Sequence, residues 1–191
     1  NLRISSSRSA EAGALDQALP KPPDVGFFGR DETLLALDRS FDTQQVVLLH
    51  AFAGSGKTQA AAEFARWYAL TGGVGGPVLF TSFETYRPLA RVLDRIGEVF
   101  GPALEQSGIN WLALDDDERR DVALQIFSQV PVLWIWDNVE PIAGFPQSQS
   151  DPSAPASDTV YTPGEQEELV KFLRDAADTK AKFLLTSRRD E

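Results

Sequence analysis

One stretch limits the chain more than any other: residues 46–58 read Val-Val-Leu-Leu-His-Ala-Phe-Ala-Gly-Ser-Gly-Lys-Thr. Four consecutive apolar residues, 46–49, have the character of a strand covered on both faces, as strands of a parallel sheet are. Gly54-Ser55-Gly56-Lys57-Thr58 then reproduces the second half of the pattern G-x-x-x-x-G-K-[ST]. In that pattern backbone N–H groups wrap a phosphate, the lysine reaches its outer oxygens and the hydroxyl ligates Mg²⁺. Residues 59–70 are rich in helix formers, so the positive end of a helix dipole points at the same anion. Contacts to the phosphates are therefore expected from Ala53, Gly54, Ser55, Gly56, Lys57, Thr58 and Gln59. Ala51 departs from the pattern, standing where it has its first glycine, and alanine resists positive φ, so the start of the loop is expected to adjust. The plainer reading is a glycine-rich turn that happens to precede a lysine; strand, Gly-Lys-Thr and helix in this order argue against it.

A second apolar run, residues 130–136, ends in Asp137 and Asn138. An aspartate at the end of a buried strand, downstream of a phosphate loop, is placed to hold Mg²⁺ beside the loop threonine. Thr58 and Asp137 are thus the expected metal ligands, the alternative being that Asp137 only caps a turn. Position 138 carries an amide, which orients water but cannot take its proton. Glu140, two residues on, is either a substitute base or an ordinary exposed acid.

The rest of the chain reads as alternating helices and strands. Helices are expected over 33–41, 87–100, 116–129 and 165–178, and strands over 78–83 and 181–189. The acidic run Asp115-Asp116-Asp117-Glu118 reads as a helix start, where carboxylates favour the dipole, in preference to a metal site. Residues 1–24, with the run Ser5-Ser6-Ser7, Gly13 and the prolines Pro20, Pro22 and Pro23, read as a linker from an upstream domain, with a short helix over 10–19 as an option. Residues 25–191 then form one nucleotide-binding domain. Residues 141–164 form a long Pro/Ser-rich insertion beside the Asp137 strand.

Composition excludes several classes. A net charge of −10 argues against a nucleic-acid surface, which needs clustered Lys and Arg. Hydrophobic content is 42%, and no apolar run approaches the roughly 18 residues of a membrane span. With no cysteine there are no disulfides, thiolate metal sites or cysteine nucleophiles, and a cytoplasmic location fits. The first residue is not methionine, so an excised piece of a longer protein is expected.

The order of parts resembles the STAND class of P-loop NTPases, which includes NB-ARC and NACHT domains. The resemblance spans residues 27–190 and rests on four signposts: Phe28-Gly29-Arg30 before a helix, the loop ending Gly56-Lys57-Thr58, the strand ending in Asp137, and the strand ending Thr186-Ser187-Arg188. It implies a three-layer α/β core of the additional-strand type, with strand order 2-3-1 and the last strand inserted between the loop strand and the Asp137 strand. It implies that Phe28, Gly29 and Arg30 frame an adenine and that Arg188 reads the γ-phosphate, Arg189 being a weaker choice. Lys57, Asp137 and Arg188 become the residues that carry the chemistry. It also implies ATP or ADP with Mg²⁺, oligomerisation on activation, other domains of the same protein as partners, and a helical lid beyond residue 191; the amide at Asn138, where many such ATPases carry a carboxylate, makes slow hydrolysis the expectation. His50 precedes the loop and reads as packed at a strand end. The rival readings are a catalytically competent ATPase or phosphotransferase, and a nucleotide-free scaffold for protein interaction.

Overall fold

The computed structural model describes residues 13–24, 26–142 and 161–188. Helix α1 (Asp31–Phe41) leads into strand β1 (Val46–Ala51), and helix α2 (Lys57–Leu70) returns the chain to β2 (Val78–Ser82). Helices α3 (Leu89–Gln106) and α4 (Asp116–Gln129) connect β2 to β3 (Leu133–Asp137), and α5 (Pro163–Ala177) precedes β4 (Lys182–Arg188). The four strands are parallel, in the order β1-β4-β3-β2. The last strand is therefore inserted between the loop strand and the Asp137 strand, as the resemblance implies.

Alternation along the strands splits the core in two. Val78, Phe80, Leu133, Ile135 and Leu184 point to α1 and α2, where they meet Leu37, Phe41, Ala61, Phe64, Ala65 and Tyr68. Leu79, Trp134, Trp136 and Phe183 point the other way, into Val92, Ile96, Phe100, Ile126, Phe127 and Phe172 of α3, α4 and α5. Helices on both faces of a parallel sheet make three layers.

Several boundaries differ from the sequence reading for local reasons. α3 runs to Gln106 through Gly101 and Pro102, where a stop is expected, because Ala103 and Leu104 are fully buried and hold the last turn in place. α4 starts with a capping box between Asp115 and Glu118, so the acidic run does begin a helix. A second box, Thr162 with Glu165 and Pro163 in the first turn, starts α5 two residues early. β1 is not covered on both faces: it lies at the sheet edge, with Leu48 53% exposed and His50 exposed rather than packed.

The described part of the presumed linker is not helical, and it is fastened to the domain. Gly13 N–H donates to Gly76, Val78 N–H to Ala14 and Asp16 N–H to Val78, so residues 13–16 run along the free edge of β2. The Asp16 carboxylate accepts from the backbone N–H of Phe80 (3.0 Å) and Ala18 (2.7 Å) and pairs with Arg95. Leu19 is buried in the α1–α2 core. Of the insertion, 143–160 lie outside the described residues, and both flanks are packed. Ile142 and Tyr161 are buried, Gln166 Nε2 donates to the Pro141 carbonyl (3.2 Å), and the Tyr161 hydroxyl accepts from Arg87 N–H (2.8 Å).

Candidate functional site

The register of the sheet brings its chemistry to one edge. Ala51 stands opposite Arg188 and Ser82 opposite Asp137, so all four strands end together at their C-terminal side. In open parallel sheets this is the edge where ligands bind.

Residues 52–56 turn from β1 into α2. Ala51 keeps strand geometry, so a β-carbon is tolerated at that position and the loop needs no adjustment there. Positive φ falls instead on Gly54 (72°) and Gly56 (78°), and a β-carbon at Gly54 would meet nothing within 4 Å. The loop therefore presents bare backbone on its outer side. Gly56 is the N-cap of α2 and brings no side chain to the cap, so the first N–H groups of a fourteen-residue helix are not covered by one. Lys57 is 7% exposed, and its Nζ donates to the carbonyls of Ala51 (2.8 Å) and Phe52 (3.0 Å). The Ser55 hydroxyl is buried without a hydrogen-bond partner among the described residues. An orphaned donor, a buried ammonium and an open helix N-terminus are what an anionic group of phosphate size would satisfy.

At the end of β3, Asp137 is 2% exposed and bracketed by two hydroxyls. Thr58 Oγ1 lies 2.9 Å from each of its oxygens, and Thr186 Oγ1 donates to Oδ1 at 2.5 Å. Burial pushes the Asp137 carboxyl above the ordinary carboxylate range. The Thr186 and Thr58 hydroxyls oppose that shift, and the negative charges of Glu140 and Glu84 add to it. A hydroxyl and a carboxylate in contact form a hard-oxygen pair suited to Mg²⁺.

Asn138 is the only non-glycine residue with positive φ among the described residues, at 60°. Asparagine tolerates this left-handed conformation, which gives the amide a conformational reason independent of water. The turn carries Glu140 back over the end of β4, where its carboxylate accepts from the Arg188 backbone N–H.

The remaining expected residues are dispersed. Arg30, the N-cap of α1, extends its guanidinium to the Ser55 carbonyl of the loop. Phe28 is 82% exposed, with its ring against Gly26, and Gly29 has positive φ with open space around it. Gln59 donates to the Lys21 carbonyl and to Glu63, away from the loop. Ala53 is exposed on the loop, and the Arg188 side chain is exposed at the strand end. Arg189 lies outside the described residues. Thr186, quoted as part of the last signpost, is given no role of its own by the sequence reading. Its only signal is a hydroxyl two positions before Arg188 in an apolar strand, and a threonine there reads as a β-former.

No protein-family model matches the chain, and no curated protein matches it. Among solved structures, the Walker-type ATPase paby2304 of Pyrococcus abyssi matches with a TM-score of 0.57 and 14% identity over 90% of this chain. This chain spans 48% of that protein's length. The HORMA:CdnC:Trip13 complex of E. coli MS115-1 also matches, with a TM-score of 0.43, at 14% identity over 84% of this chain and 57% of the other. Together with the strand order, the first of these likenesses gives the chain the fold of a Walker-type ATPase: a three-layer α/β core around four parallel strands.

Proposed function

We propose that this chain binds an adenine nucleotide with Mg²⁺ and acts as the nucleotide-controlled switch of a larger signalling protein of the STAND class. The observation that carries the reading is the convergence of Lys57, the orphaned Ser55 hydroxyl and the Thr58–Asp137 pair at one sheet edge. In this reading residues 53–58 hold the phosphates, and Thr58 and Asp137 hold the metal. The bound Mg²⁺ supplies charge neutralisation on the phosphates. Arg30, already on the loop carbonyl, and Arg188 at the end of β4 offer guanidinium groups to the nucleotide. Slow turnover follows from the amide at 138, and a slow site holds a state rather than cycling. Attached domains, oligomerisation and a cytoplasmic setting belong to the same proposal and rest on the resemblance.

Calorimetric titration with ADP and with Mg·ATP, beside Lys57→Ala, tests it. Lys57→Ala is expected to weaken binding by about ten- to a hundredfold, the loss of a hydrogen bond to a charged group. Equal binding by both chains, or no binding by either, rejects the reading.

One observation favours a second reading, a competent ATPase. Glu140 sits at the same edge, close enough for its charge to act on Asp137. If Glu140 is the base, Glu140→Gln lowers phosphate release by about a hundredfold or more with binding intact. In the switch reading release is slow in both chains.

A further inference from the structure

Asp137 is fixed by a residue on another strand. The Thr186 side chain is fully buried and touches both Asp137 and the turn after it. Its hydroxyl accepts from the Asn138 backbone N–H at 3.1 Å and donates to Asp137 Oδ1 at 2.5 Å. Its carbonyl accepts from Val139 N–H at 3.0 Å. One residue of β4 thus holds three successive residues, 137–139, through three hydrogen bonds.

The direction of the hydroxyl is determined by its neighbours. A backbone N–H can only donate, so the Asn138 amide occupies a lone pair of Thr186 Oγ1. The single hydroxyl proton is then left for Asp137 Oδ1. An amide donating into a hydroxyl that donates onward strengthens the second bond by polarisation. Among the described residues Oδ2 has only Thr58 as a partner, at 2.9 Å, and Thr58 lies equally near Oδ1. The result is a carboxylate tethered to β4 by Oδ1, with Oδ2 facing the first turn of α2 alone.

We propose that Thr186 is a positioning residue for the metal: it holds the Asp137 carboxylate in a fixed orientation, so that Mg²⁺ is bound together with nucleotide at low concentration. This rests on the reading of the site as a Mg·nucleotide site and deepens it. Thr186 acts through Asp137 and touches no ligand itself. The arrangement also explains the left-handed Asn138, because a φ of 60° is held where its own N–H and that of Val139 both land on residue 186.

The test compares the full chain with Thr186→Val, which keeps the shape and removes the hydroxyl, and Thr186→Ser, which keeps the hydroxyl. At fixed ATP, Mg²⁺ is titrated and the concentration giving half-maximal Mg-dependent binding is read by calorimetry; a parallel titration with ATP in EDTA measures binding without metal. Thr186→Val is expected to raise the half-saturating Mg²⁺ by about ten- to a hundredfold, the usual effect of removing a partner of a metal ligand. Binding in EDTA stays at the wild-type value, and Thr186→Ser restores the Mg²⁺ dependence. If the valine variant does not fold, Thr186→Ala takes its place in the same comparison. Wild-type Mg²⁺ dependence in the variant lacking the hydroxyl overturns the proposal, as does a serine variant that behaves like valine. A wild-type chain that binds no nucleotide removes the reading beneath it, an outcome distinct from those two.

Discussion

The two faces of the sheet are filled differently. Against α3, α4 and α5 the strands turn Trp134, Trp136 and Phe183, which meet Phe83, Phe127 and Phe172 at ring separations of 5.2–6.4 Å. Against α2 the strands meet Ala61, Ala62 and Ala65, all fully buried, beside Phe64 and Tyr68. The large rings of α2, Phe64 and Tyr68, stack with each other and with Phe41 of α1. Rings fill space and contribute most of the burial energy, whereas alanines let a helix lie close to the strands. The helix that carries Lys57 and Thr58 is the one that turns small residues of its own to the core. One face supplies stability and the other supplies position, and the two can be perturbed separately.

The largest effect is expected from the aromatic face. Trp134→Ala empties a fully buried site and removes the indole hydrogen bond to Thr81, and should cost about 3–5 kcal/mol in urea unfolding. Nucleotide affinity of the fraction still folded should stay at the wild-type value. On the other face, Ala61→Leu overpacks the space below α2 at a cost of about 1–3 kcal/mol. Here the nucleotide titration should suffer more than the unfolding curve. Equal loss of affinity in both variants breaks the contrast.

A smaller effect has the opposite sign. The Asp137 carboxyl is held above its ordinary value in the folded chain, so its contribution to stability is present below the unfolded value and is lost as pH rises through the raised one. Asp137→Asn removes that loss. In EDTA the variant should be more stable near neutral pH by about 1 kcal/mol, roughly 2–4 °C for a chain of this size. The gap should close on acidification toward pH 4. Unfolding scans across that range check it, and a variant less stable at neutral pH contradicts it.

The loop and the strand ending in Asp137 were legible in the sequence because each depends on local pattern, an apolar run, a glycine spacing or a helix start, whereas the order of the strands came from the family resemblance. Thr186 was not, since a threonine in a strand looks like any β-former until the register places it beside residue 137. Periodicity also misread β1, where four apolar residues in a row suggested a strand buried on both faces and the sheet instead ends there. Residues 13–19 were read as part of a linker for a different reason. They are short and mostly small or polar, and what fixes them is the Asp16 side chain acting in place of a backbone carbonyl.

That fastening has a mechanical consequence. Tension applied to the chain ahead of residue 13 meets the hydrogen bonds to β2 and the Asp16–Arg95 pair before it arrives at Arg30, which touches the loop. The segment works as strain relief does on a cable, taking the load at the sheet margin. A pull from upstream reaches the loop only after that anchor has let go.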